Sequence, residues 1–219
     1  MATWCSEHDQ ILVDWADKAM CYRWLHNREN ELFSRKNMWF TIPVIIISTV
    51  TGTANFAQEH FPEHRSTMAM AIGSFNIVAA IITTISQFLK IAEVNESHRV
   101  ATLSWDKFYR NVRLIVTKCP TERLAVDAQL KSIKEEFDRM MELSPPISSA
   151  VVLQFKTTFA KQDEYATIVK PDICGELRST SNFLYTAPSL HGADQHAQFR
   201  DEFRRVHNRS PQPFELEEG

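Results

Sequence analysis

The chain has 219 residues, 44% hydrophobic and 23% charged, with 24 basic against 27 acidic side chains and a formal charge of -3; its mean hydropathy is -0.27. These averages exclude a collagen-like, disulfide-dense or wholly disordered chain, and they give no field that would make nucleic acid the default partner. Five glycines are few for a catalytic α/β fold, which spends several on phosphate or substrate loops, so the composition leans toward helices with few tight turns.

In region 1–37, Ile11, Trp15, Ala19, Tyr22, Leu25 and Leu32 recur at spacings close to three and four, with Asp14, Asp17, Arg28 and Glu29 between them. This predicts a long amphipathic helix. Two stretches then carry no Asp, Glu, Lys or Arg, Asn37 to Gln58 and Ser66 to Leu89. As helices rising about 1.5 Å per residue, each is long enough to cross a hydrocarbon core of about 30 Å. Buried core helices are typically shorter, and a cleaved signal peptide would start nearer the N-terminus, without a charged segment ahead of it. The expected fold class is therefore an all-α membrane protein. Its transmembrane hairpin occupies 38–89, with spans at about 38–57 and 68–89 and a loop at 58–67, and its long helices extend into a cytosolic bundle. Pro43 either kinks the first span or marks a break between its cytosolic and membrane parts.

Basic residues set the expected orientation. Lys18, Arg23, Arg28, Arg35 and Lys36 precede the first span, and Lys90, Arg99, Lys107 and Arg110 follow the second; the loop holds Arg65 beside Glu59 and Glu63. The positive-inside bias places both termini in the cytosol, in a membrane the sequence does not specify. Cys5, Cys21, Cys119 and Cys174 are far apart and form no C-x-x-C motif, so free thiols are expected. Asn95 and Asn208 head glycosylation triplets that should stay unmodified on that side.

Within 90–170, Ile91, Val94, His98, Ala101, Trp105, Phe108, Val112 and Ile115 alternate at steps of three and four, and no Gly or Pro occurs between Gly73 and Pro120. This predicts one rod from about Met68 to about Lys118, roughly 75 Å long. Its seam either packs on the first helix or forms a coiled coil between subunits. Thr121 is a candidate N-cap for a helix marked by Leu124, Leu130, Ile133, Phe137 and Met140, with Lys131–Glu135 and Lys134–Asp138 pairs on its wet face. Ser144-Pro145-Pro146 ends it, and a last helix from about Ser148 to about Ala166 presents Val151, Val152, Phe155 and Phe159. The remainder, 171–219, reads as a largely flexible tail in which Phe199, Phe203 and Val206 would mark one short docking helix.

The chain carries no nucleophile elbow, Walker loop, H-E-x-x-H or zinc-spaced Cys/His cluster, so neither an enzyme nor a cofactor is expected. His60 and His64, four apart in the loop, are more simply solvated than metal-bound. His98 on the seam reads as a hydrogen-bonded core histidine, with a pH sensor as the alternative. On the second span Gly73, Asn76, Ala80, Thr83 and Gln87 form a small and polar stripe, and Ser48, Thr51, Gly52 and Asn55 do the same on the first. Lipid cannot hydrogen-bond Asn76 or Gln87, so these faces should meet other helices or water. They are either helix-packing faces or the lining of a pore shared by several copies. In a pore, the mouths would be Glu59 and Glu63 outside and Lys90 inside.

A cytosolic helix, a two-span hairpin, the stretch Glu93-Val94-Asn95-Glu96-Ser97-His98-Arg99-Val100-Ala101 with Trp105, Phe108 and Tyr109 beyond it, and Ser144-Pro145-Pro146-Ile147 together resemble the SLATT proteins, two-transmembrane effector domains. The resemblance covers about Asp9 to Ala166. It implies a membrane effector that oligomerises into a pore, with no catalytic residues, and it makes His98 structural glue beside Trp105 and Phe108 in a cytosolic assembly seam. No fused sensor is legible, so a trigger would act through a separate partner or the tail. The expected function is a homo-oligomeric ion channel or pore-forming effector in a lipid bilayer, gated through its cytosolic helices. The alternative is a non-conducting membrane anchor or scaffold that binds partner proteins.

Overall fold

A computed structural model describes residues 4–60 and 62–175, and every regular element among them is helical. Helix α1 runs from Ser6 to Ala57 without interruption, about 78 Å at the standard rise. Of the two readings of Pro43, a break is therefore excluded. Pro43 lies inside the helix, where its missing N–H leaves the Trp39 carbonyl without its usual donor. Two short 3-10 turns, Gln58–His60 and Pro62–His64, lead into α2, Arg65–Phe88. Then follow α3, Ile91–Thr117, α4, Val126–Leu143, and α5, Ser149–Phe159.

The single rod expected from 68 to 118 is broken in two at Leu89 and Lys90. Lys90 takes the left-handed conformation, φ 48° and ψ 36°. Its amide donates to the Gln87 carbonyl at 3.0 Å, closing α2, while its own carbonyl accepts from Val94 at 2.9 Å and starts α3. Glycine usually makes such a stop, which is why a sequence without one gave no sign of it. A lysine there carries about 1–2 kcal/mol of steric penalty. Replacing Lys90 with Gly is expected to raise stability by about 0.5–1 kcal/mol, and Lys90→Val to lower it by at least as much. Shifts of the thermal unfolding midpoint in opposite directions would show this; the ion pair lost from Lys90 to Glu93, 3.4 Å long and about two-thirds exposed on both sides, is worth little.

The polar half of α1 packs along α3, so the two flanks of the apolar hairpin lie at one end of it. The α3 seam is buried at Ile91, His98, Ala101, Trp105, Phe108, Val112 and Ile115, and only Val94 of the expected set is partly exposed. Its partner is α1 of the same chain, which answers the choice between intrachain packing and an intersubunit coiled coil. On the polar half of α1 the buried positions are Leu12, Ala16, Ala19, Cys21, Tyr22, Leu25, His26 and Glu29, one residue round from the expected stripe at Ile11 and Trp15.

Two further boundaries move. Thr121 belongs to a 3-10 turn, Pro120–Glu122, and α4 begins only after Ala125, so Leu124 is left exposed. The last helix ends at Phe159 and not near Ala166, although a 3-10 turn covers Asp163–Ala166. Pro171 and Cys174 are buried against the bundle, so the core reaches past the expected tail boundary at 171. Phe199, Phe203, Val206 and Asn208 lie outside the described residues.

Candidate membrane-spanning hairpin and the polar clamp at its root

Both hairpin helices are long and apolar enough to cross a membrane, and only 6% and 11% of their most apolar stretches are buried. Core helices of a soluble fold would be mostly covered. Here Trp39, Ile45, Ile46, Val50, Phe56, Met70, Phe75, Ile77, Ile81 and Phe88 all stand exposed, a continuous apolar surface far beyond what water-facing proteins leave open.

Within the chain, α1 and α2 meet through Thr51 on one side and Ile72 and Ala79 on the other. The Thr51 hydroxyl donates to the Asn76 Oδ1 at 3.0 Å, joining the two expected polar faces at one point. Thr83 is half-buried, with its hydroxyl turned back to the Ala79 carbonyl at 2.9 Å, and Gly52 is half-buried too. The rest of the stripe is not brought together. Ser48, Asn55, Gly73, Ala80 and Gln87 are exposed, and a Cβ added at Gly52 or Gly73 would meet nothing within 4 Å. Neither glycine serves a close helix approach inside one chain, although the sequence suggested both for that role. Periodicity could not show this, because α2 is apolar on nearly every side and its packing face lies one residue away from the polar one.

At the ends of the hairpin, Glu63 and Lys90 are exposed, and the Glu59 side chain lies outside the described residues. His60 and His64 are exposed, and no group of three potential ligands capable of holding a metal occurs among the described residues. The four cysteines are free thiols; burial pushes Cys21 up to about 12 and raises Cys174 as well. Asn95 sits inside α3, half-buried, with its Oδ1 buried.

The expected seam residues form the centre of the polar end. Trp105 and Phe108 are fully buried. Trp105 stacks on Tyr22 at 4.7 Å, meets Phe137 edge-on at 5.3 Å and donates its indole N–H to the Ser144 hydroxyl at 2.9 Å. The serine before the double proline thus ties the α4–α5 corner to α3.

One turn nearer the hairpin lies a cluster that sequence reasoning half missed. His98 is 1% exposed and faces His26 of α1, 0% exposed, with the two Nδ1 atoms 3.1 Å apart. Phe33 stacks on His98 and Tyr22 on His26. Buried Glu29 accepts the Ser148 amide at 2.6 Å, at the N-terminus of α5, where a carboxylate is favoured by the exposed peptide N–H groups. Burial and the neighbouring His98 lower His26 to about 4. Burial lowers His98 too, opposed by Glu29. His26 and Glu29 interrupt the apolar pattern of α1, and the one available signal was that they lie on the same face as Tyr22 and Leu25, each four residues on. A hydrogen-bonded core histidine is what the structure gives at 98.

Surface charges hold the clamp's outer side. Arg23 of α1 pairs with Asp106 of α3 at 2.7 Å, and Arg28 donates to Gln154 of α5 at 2.8 Å. No protein-family model, curated protein or solved structure matches this chain.

Proposed function

We propose that the chain is an integral membrane protein that assembles from several copies through its hairpin and forms an ion-conducting pore, in keeping with its resemblance to SLATT proteins. The observation that carries this reading is the outward stripe on α2. Gly73, Ala80 and Gln87 are exposed on the single chain, on a helix whose other exposed side chains include Phe75, Ile77, Ile81 and Ile85. In a bilayer the amide of Gln87 needs a partner that lipid cannot supply. A second copy or a column of water supplies one, and small residues at 73 and 80 let helices approach. One hairpin of two helices encloses no channel, so conduction requires several. Both flanks of the hairpin lie on the same side, and the basic residues there support a cytosolic location for both.

α1 passes unbroken from the polar clamp into the apolar hairpin. A change in the clamp is thereby transmitted directly to the span, which supports gating through the polar helices. A scaffold is the competing reading, and its favouring observation is an open groove between α3 and α4, lined by Glu96, Val100, Lys107, Arg139 and Leu143. A sensor or partner protein of the scaffold type would bind there, since Trp105 and Phe108 are not available on the surface.

Gly73→Leu and Gln87→Leu test the assembly. Neither disturbs a contact made within the chain, and one interhelical polar contact in a membrane contributes about 0.6 and at most about 1.7 kcal/mol. The double variant is expected to dissociate at about tenfold higher protein-to-lipid ratio and to lose conductance in planar bilayers. Wild-type particles that are monomeric in native mass spectra and silent in bilayers would reject the channel, and an unaltered double variant would reject the stripe as its interface.

A further inference from the structure

We propose that His26 and His98 form a proton-operated latch between α1 and α3, closed while both rings are neutral and released when the pair takes up one proton. The pair sits in the last buried polar layer before the hairpin, between the fully packed Tyr22–Trp105 level and the apolar spans. The latch belongs to the clamp and does not depend on whether the hairpin conducts.

The argument begins with the ring nitrogens. Their Nδ1 atoms are 3.1 Å apart, so one carries a hydrogen and the other accepts it. His26 Nε2 is buried and has no partner. If His98 donated, His26 would have to carry its hydrogen on Nε2, an orphaned N–H in the core, which is the more costly arrangement. The neutral pair is therefore His26 Nδ1–H donating to His98 Nδ1, with a bare lone pair at His26 Nε2. A further proton from solvent has two places to go. On His26 Nε2 it makes a buried N–H with no acceptor, whether the charge stays on His26 or passes through the Nδ1–Nδ1 bond to His98; on His98 Nδ1 it sets two N–H groups against each other and breaks the bond. Both penalise the closed clamp.

The surroundings do not relieve that cost. From α1 the pair is faced by the Tyr22 ring and by Glu29, whose Oε1 is already occupied by the Ser148 amide from the start of α5. On α3, Asn95 precedes His98 by three residues, and its buried Oδ1 makes no hydrogen bond to either ring. Glu96 and Arg99 pair with each other on the exposed side, and Arg28 is held by Gln154 and Glu31. Lys36 lies over the Phe33 ring that covers His98. Glu29 favours a cation at His98, and burial outweighs it.

The sign follows. With the clamp open, the rings take up protons at their ordinary value near 6.5; with it closed, burial holds His26 down to about 4. The closed state is fully favoured above about 6.5, and its preference falls by about tenfold per pH unit for His26 as pH drops through that window, with His98, lowered in the same direction, adding to the slope.

The full chain in lipid nanodiscs, with ¹³C-labelled histidine, gives the first test. One buried ring is expected to titrate well below the other histidines; two buried rings titrating near 6.5 would overturn the latch. Hydrogen exchange gives the second. Between pH 6.5 and 4.5, protection of 22–33 and 91–105 should fall reversibly by at least about tenfold per unit, relative to α4. The His26→Leu/His98→Leu pair should remove that dependence, whereas Glu29→Gln should keep it. An unchanged dependence in the double variant, or a wild-type clamp fully protected at pH 4.5, would overturn the proposal. Should the double variant not fold, the wild-type titration decides.

Discussion

Replacing Trp105 with Ala is expected to destabilise the polar clamp by about 3–5 kcal/mol, enough to unfold it under conditions in which the wild type is intact. The indole is fully buried, stacks on Tyr22 of α1 at 4.7 Å, meets Phe108 and Phe137, and donates to Ser144 at 2.9 Å. Truncation empties a site lined by three helices and leaves the Ser144 hydroxyl without its donor. Trp105→Phe keeps most of the stacking and should cost about half as much. Leu103→Ala, on the exposed side of the same helix, should stay within about 0.5 kcal/mol. Thermal unfolding of the solubilised protein, followed by near-ultraviolet dichroism, ranks the three; a Trp105→Ala midpoint equal to that of Leu103→Ala would remove Trp105 from the core.

That expectation reassigns a residue the sequence had offered as an assembly contact. The periodicity of α3 was legible because its apolar residues fill a narrow stripe against a strongly polar remainder, and all but one of the expected positions are buried. The same periodicity carries no information on whether the partner is another segment or another copy. Contact with α1 supplies that answer.

The hairpin was legible for the opposite reason. An absence of charge over two long runs needs no period to be noticed, and the two exposed apolar helices lie where those runs place them. The packing face between them was not legible, since on α2 the buried Ile72 and Ala79 are chemically indistinguishable from the exposed Ile77 and Ala80. Polar core residues were the other gap. His26 and Glu29 are buried on α1, and a reading that sorts residues by hydropathy assigns them to solvent. Their burial depends on partners far along the chain, His98 and the Ser148 amide. Lys90 shows a third kind of silence: its left-handed backbone is a property of conformation that a lysine does not advertise.

A second large effect is expected at Arg123, a residue no motif singled out. Its side chain is 3% exposed and pairs with Asp9 near the start of α1. It also donates to the carbonyls of Val116 and Lys118, at 3.0 Å each, where α3 ends, and its guanidinium lies 4.8 Å from the Trp4 ring. Three features of the chain therefore converge on one cation: the start of α1, the carbonyl end of α3, whose partial negative charge favours it, and the approach to α4, where the Trp4 indole donates to the Leu124 carbonyl at 3.0 Å. Arg123→Met keeps most of the volume and removes every donor, leaving two carbonyls and the Asp9 carboxylate without their partner. A loss of about 3 kcal/mol follows from removing three hydrogen bonds of a buried guanidinium, to Asp9 and the two carbonyls, at about 1 kcal/mol each. Asp9→Asn leaves both carbonyl bonds of Arg123 in place and keeps an amide oxygen that can accept from the guanidinium, so it should cost less than half as much. Arg123→Lys restores the charge but supplies neither the planar fork nor the stacking, and should recover only a minor part. Urea unfolding of the four proteins in one lipid mixture distinguishes these cases. Equal losses for Arg123→Met and Asp9→Asn would mean that the ion pair, and not the capping of α3, carries the interaction.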